Sequence, residues 1–287
     1  MMIISDGQEL VIRDCFKAQS FNIEMFGGGI DPLIMVDHFR MTGPTFPVHP
    51  HAGLSAVTYV FPESKGAHMN YDSLHDPISI EPGDIHWFAS CSGAVHTEQP
   101  RIEGKEVHAL QIFVNLPIGM KRQQAYASHV VASDIPLYSD LNGSVRVVAG
   151  DYKELASPLK TPTPFTLLDC HGVEGVNQSF PMKLNWNYFL YSVSGSIEAS
   201  LPGLNLDRAA VTLGPGQSLG FAGWETSKDG ISLVVKSSEN SHFVLLGGLG
   251  LREPYHLGGP IVMESAEAND ERFRAYRNGE FGQVKGI

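Results

Sequence analysis

An all-β protein in two related halves is the fold this sequence predicts, and three observations predict it. Charged residues make up only 18% of a chain that is 43% apolar, and 30 Gly with 18 Pro punctuate its 287 residues, which favours short strands and tight turns. Apolar and polar residues alternate over short runs, while long helix-period segments are missing. The third observation is an internal echo. "ISIEPGDIHWFA" at 78–89 returns as "VTLGPGQSLGFA" at 211–222, about half the chain later, as expected of a duplicated domain.

Along the chain, strands are expected at 55–61, 67–72, 78–80, 85–89 and 107–115, with Gly, Pro, Asp or Asn in the gaps. The stretches "VTYVFPESKGAH" near 57 and "FLYSVSGSIEAS" near 189 each read as strand, turn, strand and extend the echo. Short helical pieces are expected at 121–126 and in the tail "AEANDERFRAYRNGEF". The join falls in the turn-rich stretch that ends in the stiff, Pro-studded "SPLKTPTPF", giving halves at 1–133 and 134–287.

Charge narrows the range of partners. The net charge of −11 comes from 31 acidic against 20 basic residues, with no cluster of Lys or Arg to displace counterions from a nucleic-acid backbone or to bind an anionic membrane. An acidic surface suits a basic protein partner. The start meets charged residues too early for a signal peptide, and no apolar run approaches the roughly 18 residues that span a bilayer, so a cytoplasmic protein is expected. Cys15, Cys91 and Cys170 are odd in number and widely spaced, against a disulfide framework or a thiolate zinc site.

The chemistry concentrates in "FPVHPHAGLSAVTYVF". His49 and His51 are two apart, so on a strand both rings point to one face, about 7 Å apart along it. Downstream, His96 and Glu98 repeat that spacing, so a neighbouring strand can offer an imidazole and a carboxylate to the same point. Twelve histidines make some close pairs inevitable, and a lone His is more often a hydrogen-bonded residue than a ligand. Three imidazoles and one carboxylate without thiolates suit Fe, Mn, Ni or Zn, and on an octahedral ion they leave two positions open.

These motifs resemble the cupin superfamily, with its His-x-His and the Gly-x-x-His seen here as "GAVH" from Gly93 to His96. Within it, "FPVHPHAG", "EPGDIHWFASCSGAVHTE", "LQIFVN" and "EPYHLGGPIVM" resemble the pirin family over nearly the whole chain. The resemblance implies two tandem cupin barrels of jelly-roll type with a few short helices. It also implies one metal in the N-terminal barrel, usually iron as Fe(II), held by His49, His51, His96 and Glu98. Many cupins place the carboxylate four residues after the His pair, but that position is Ser55 here.

By the same resemblance, two functions are implied. One is a quercetin 2,3-dioxygenase-like enzyme that opens a flavonol with O₂, Glu98 serving as ligand and proton acceptor, with Phe46, Trp87 and Phe88 as candidate cavity walls. The other is a regulator whose metal redox state controls a transcription factor or metabolic enzyme; a purely structural metal is a third reading. The family commonly has His-Pro-His-Arg-Gly-Phe-Glu where this chain has "HPHAGLS", and Gly where it has Cys91, read here as a buried inert thiol. His86 is read as a decoy, while His38, His68, His75 and His108 are unassigned. In the second half the matching places fall near "PMKL" and "GWET", which lack paired imidazoles, and His171, His242 and His256 look scattered, so no metal is expected there.

Overall fold

The computed structural model describes residues 2–202, 210–222 and 230–286. Two compact units emerge, and each is assembled from separate stretches of chain. One holds residues 8–21, 32–133 and 251–286; the other holds 2–7, 22–31 and 134–250. One of the several crossings between the units falls at 133/134. The tail 251–286, placed by the repeat with the second half, packs instead with the first, and residues 2–7 and 22–31 pack with the second.

In the first unit a seven-stranded antiparallel sheet runs in the order Tyr126–Val130, Ile85–Ala89, Leu54–Val60, Val107–Asn115, Leu33–Met41, Phe16–Asn22, Gln8–Ile12. A four-stranded sheet has the order His49–His51, Ala94–Pro100, His68–Asp72, Ile78–Ile80. The second unit repeats this plan. Its larger sheet runs Met2–Ser5, Ser218–Phe221, Trp186–Ser194, Ser241–Leu249, Phe165–Gly172, Gly143–Ala149, Leu137–Asp140, and its smaller one Asn177–Pro181, Ser232–Ser237, Ile197–Ser200, Ala210–Leu213. The echo is therefore a repeat of topology: Ile78–Ile80 with Ile85–Ala89 stands where Ala210–Leu213 with Ser218–Phe221 stands in the other unit. Both units are two-sheet barrels of the jelly-roll kind.

The repeated plan also relocates one correspondence. Ser232–Ser237 holds the sheet position of Ala94–Pro100, rather than the "GWET" stretch, which lies outside the described residues. That strand contributes Leu233 and Val235 to an apolar interior with Phe180 and Phe243, all at most 1% exposed. Each such side chain stabilises the fold by roughly 1.5–3 kcal/mol on burial.

The tail explains two glycines in the first unit's motifs. Gly53 has φ +75° and a Cβ there would lie 1.9 Å from the Val262 carbonyl oxygen; at Gly93, φ +138°, it would lie 2.1 Å from the Phe281 ring. Ala52, Val95, Ile261, Met263, Ala268, Ala275 and Phe281 form one buried cluster. The helix Ala266–Arg277 is capped by Ser265, whose side chain accepts from the Ala268 N–H, with Glu267 in its first turn and Arg274 and Arg277 in its last, as the helix dipole favours.

No helix forms at 121–126: a short 3₁₀ turn covers Ile118–Met120 and a strand begins at Tyr126. Lys121 is buried, and its Nζ donates to the carbonyls of Gly53 (2.8 Å) and Val262 (2.7 Å) and to Asn115 Oδ1 (2.6 Å), tying the tail to the barrel. Among the described residues no helix is long and apolar enough to cross a membrane.

Candidate metal centre

Strand pairing brings the histidines together. His96 lies directly opposite His49 in the antiparallel register of their strands, and Ala94 lies opposite His51. The three ring centroids are 4.6 to 4.9 Å apart, with interplanar angles of 79°, 57° and 72°. One nitrogen from each ring lies within 4.8 Å of the others. His51 and His96 are 1% and 2% exposed, whereas His49 is half-buried.

Each ring is oriented by its Nδ1. His49 Nδ1 is 2.9 Å from the Pro47 carbonyl, His51 Nδ1 is 3.1 Å from the Pro260 carbonyl, and His96 Nδ1 is 3.2 Å from Asn70 Oδ1. Asn70 donates its amide to Asp72 Oδ2 at 2.7 Å, so its oxygen faces His96, and Asp72 is held in turn by the N–H groups of Leu74 and His75. A carbonyl oxygen accepts only, so each Nδ1 carries the proton and each Nε2 keeps its lone pair. The Nε2 of His51 is buried without a partner. Burial pushes the His51 imidazole down to about 3, and burial with the neighbouring rings holds His96 well below the usual range, so both are neutral. Three neutral, converging imidazoles fit a divalent metal ion.

Glu98 is on the same strand as His96 and lines the same cavity, but its carboxylate lies outside the three-imidazole cluster. Its Oε1 accepts from the Thr58 hydroxyl at 2.7 Å and lies 3.8 Å from His68 Nδ1. Burial pushes it up to about 7, against the lowering effect of the Thr58 hydrogen bond. Because Thr58 faces Glu98, Ser55, three residues earlier on that strand, faces the opposite side. A carboxylate there would point away from the imidazoles.

The cavity above the imidazoles has a volume of about 290 Å³ and apolar walls that include Phe16, Phe39, Phe46 and Phe113. Of the expected wall residues, Phe46 lines it, Phe88 stacks flat on His96 (4.9 Å, 1°), and Trp87 does not line it. His68 also lines the cavity, with no hydrogen-bond partner at either ring nitrogen. His86 is buried apart from the cluster, His38 and His108 lie 2.6 Å apart, and His75 is beside Asp72. Cys91 is buried, its thiol pushed up to about 11, and its φ of 41° is in the left-handed region where the family pattern has Gly.

Two residues that look scattered in the second half meet across paired strands. His171 lies opposite His242, and His242 Nε2 is 2.6 Å from Asp169 Oδ1. Together they form the second group of potential ligands among the described residues. These two rings stack at 4.4 Å and 15°. An imidazole lone pair lies in its ring plane, and near-parallel stacked planes do not meet at a nearby point. The crossing planes of His49, His51 and His96 do. His256 lies in the tail hairpin, away from both groups.

Two barrels of repeated topology, the first with converging imidazoles inside it, define a bicupin. Residues 9–114 match the family model Pirin and residues 167–282 match the Pirin C-terminal cupin domain. Pirin from Rattus norvegicus is 30% identical over 255 residues, 88% of this chain and 83% of that protein. A pirin-like protein from Solanum lycopersicum is 31% identical over 256 residues, covering 88% and 82%. The chain belongs to the pirin family. In fold it is similar to quercetin 2,3-dioxygenase from Acinetobacter baumannii, with a TM-score of 0.84 at 22% identity over 99% of this chain and 97% of that one. It is also similar to the Escherichia coli pirin YhhW in complex with nickel(II), with a TM-score of 0.65 at 13% identity over 87% and 100%.

Proposed function

We propose that this protein is an iron(II)-dependent dioxygenase that opens flavonol-type substrates, with His49, His51, His96 and Glu98 holding the metal. The observation that carries the reading is the junction of two environments: converging neutral imidazoles open directly into an apolar, aromatic-walled cavity. Such a cavity suits a planar aromatic ligand. Similarity of fold to a quercetin 2,3-dioxygenase supports the reaction class, and the nickel-bound pirin supports a divalent ion.

Bound iron would supply the electron transfer between dioxygen and the substrate. The chain's own residues do the rest. Pro47, Pro260 and Asn70 fix the ring orientations, so little reorganisation is needed when an ion enters. Glu98, with a pKa near neutrality, takes the proton of the flavonol 3-hydroxyl, while Thr58 stays bonded to its Oε1. Phe16, Phe39, Phe46 and Phe113 exclude water from the reacting atoms.

The test is anaerobic loading with Fe(II), then exposure to quercetin and air, following loss of flavonol absorbance and release of carbon monoxide. Turnover that follows iron content supports the reading. Intact quercetin over fully iron-loaded protein overturns it and leaves the regulatory role as the alternative.

A further inference from the structure

One part of the cavity is not used by this chemistry. Asp37 and Gln111 face each other across the paired strands Leu33–Met41 and Val107–Asn115, and both line the cavity. Asp37 is 7% exposed; Ser20 hydrogen-bonds its carboxyl, yet its Oδ1 is buried with no partner. The Gln111 amide oxygen lies 3.0 Å from the Thr58 hydroxyl, and its Nε2 is buried without a partner. The Thr58 hydroxyl is shared between Glu98 Oε1 and Gln111 Oε1, so the amide oxygen faces Thr58 and the unpartnered end of Gln111 is its Nε2, a donor. That donor and the unpartnered Asp37 Oδ1 belong to residues directly opposite each other in the register and lining one cavity.

An unpaired buried carboxylate oxygen and an unpaired buried amide atom are costly, and native proteins keep such groups where a ligand satisfies them. The side chains that flank this pair on the same strand faces, Met35 and Phe39 beside Asp37 and Phe113 beside Gln111, offer no polar partner. The missing partner is a small group that donates to a carboxylate and accepts from an amide N–H. A hydroxyl does both. A phosphate or carboxylate would be repelled by Asp37.

We infer that Asp37 and Gln111 form a hydroxyl-binding subsite, so that the substrate is a polyhydroxylated aromatic, with one hydroxyl at the imidazole cluster and another at Asp37. This inference rests on the aromatic-substrate reading above. It assigns Asp37 and Gln111 to substrate selection and leaves metal binding to the other residues.

The experiment uses full-length protein loaded with Zn(II), which is redox-silent, so that binding is read without turnover. Calorimetric titrations compare quercetin with 3-hydroxyflavone, which has the same skeleton and 3-hydroxyl but lacks the other ring hydroxyls. Wild type binds quercetin at least tenfold more tightly. Asp37→Leu and, independently, Gln111→Leu lower quercetin affinity tenfold or more while 3-hydroxyflavone stays within about twofold and zinc content is unchanged. If both flavonols bind wild type and the variants shift both alike or neither, the subsite is wrong and the aromatic-substrate reading stands. If neither flavonol binds wild type, that reading falls and the subsite with it.

Discussion

The Nδ1 of His51 lies 3.1 Å from the carbonyl oxygen of Pro260, 209 residues further along the chain. A candidate metal-binding ring near the start of the first barrel is thus oriented by the tail. The hairpin that carries Pro260 is clamped by Asn269, which donates to the carbonyl of His256 (3.0 Å) and accepts from the Met263 N–H (2.8 Å). Asn269→Ala therefore loosens an outer support of the metal site without touching a ligand. Metal affinity in competition with a chelator should fall by about tenfold. Unchanged affinity would mean that the tail only covers the barrel.

The imidazoles and Glu98 differ in what they release when an ion enters. Burial already keeps His51 and His96 neutral near pH 7, whereas Glu98 is pushed up to about 7. Zinc binding measured calorimetrically in buffers of different ionisation enthalpy should release close to one proton at pH 6 and almost none at pH 8. In Glu98→Gln that difference should vanish. A wild-type release independent of pH would remove Glu98 from the ligand set.

Asp37 ties the cavity to stability. Its carboxyl is raised from 3.8 to about 6 by burial, so the folded state favours the protonated form. The stability that this proton confers is present below pH 3.8 and is lost as pH rises through about 6. Asp37→Asn, neutral at every pH, should stabilise the metal-free protein at pH 8 by up to about 3 kcal/mol, with the gain shrinking towards pH 4. Urea denaturation of both proteins across that range measures it.

Gly53 tests how closely the tail must sit. Its φ of +75°, and the 1.9 Å that would separate an added Cβ from the Val262 carbonyl oxygen, leave no room for a side chain. Gly53→Ala should lower stability by on the order of 2 kcal/mol or more and weaken metal binding in the same protein. Stability within about 0.5 kcal/mol of wild type would show that the hairpin yields easily.

Much of this was legible in the sequence because it is local. The i, i+2 spacing of His49 with His51 and of His96 with Glu98 fixes a common face on each strand, and the echo at 78–89 and 211–222 marks a true repeat of topology. What was not legible depends on register between distant strands. Nothing in the sequence pairs Pro260 with His51, Asn70 with His96, or Gln111 with Asp37, since a sheet sets such pairs only once its strands are aligned. The same reason hid the meeting of His171 with His242, and the return of the tail to the first barrel. The helical reading of 121–126 missed that Lys121 is buried, with three oxygens satisfying its Nζ inside the unit.

The proposed chemistry stands or falls with one metal ion held by His49, His51 and His96, and none held by the stacked pair in the second barrel. Elemental analysis of wild type, His51→Ala, His96→Ala and His171→Ala after identical metal loading and desalting separates the two groups. One ion per chain is expected in wild type and in His171→Ala, and less than about a tenth of that in His51→Ala and His96→Ala. Full occupancy in His51→Ala, or loss of the ion in His171→Ala, would contradict this assignment.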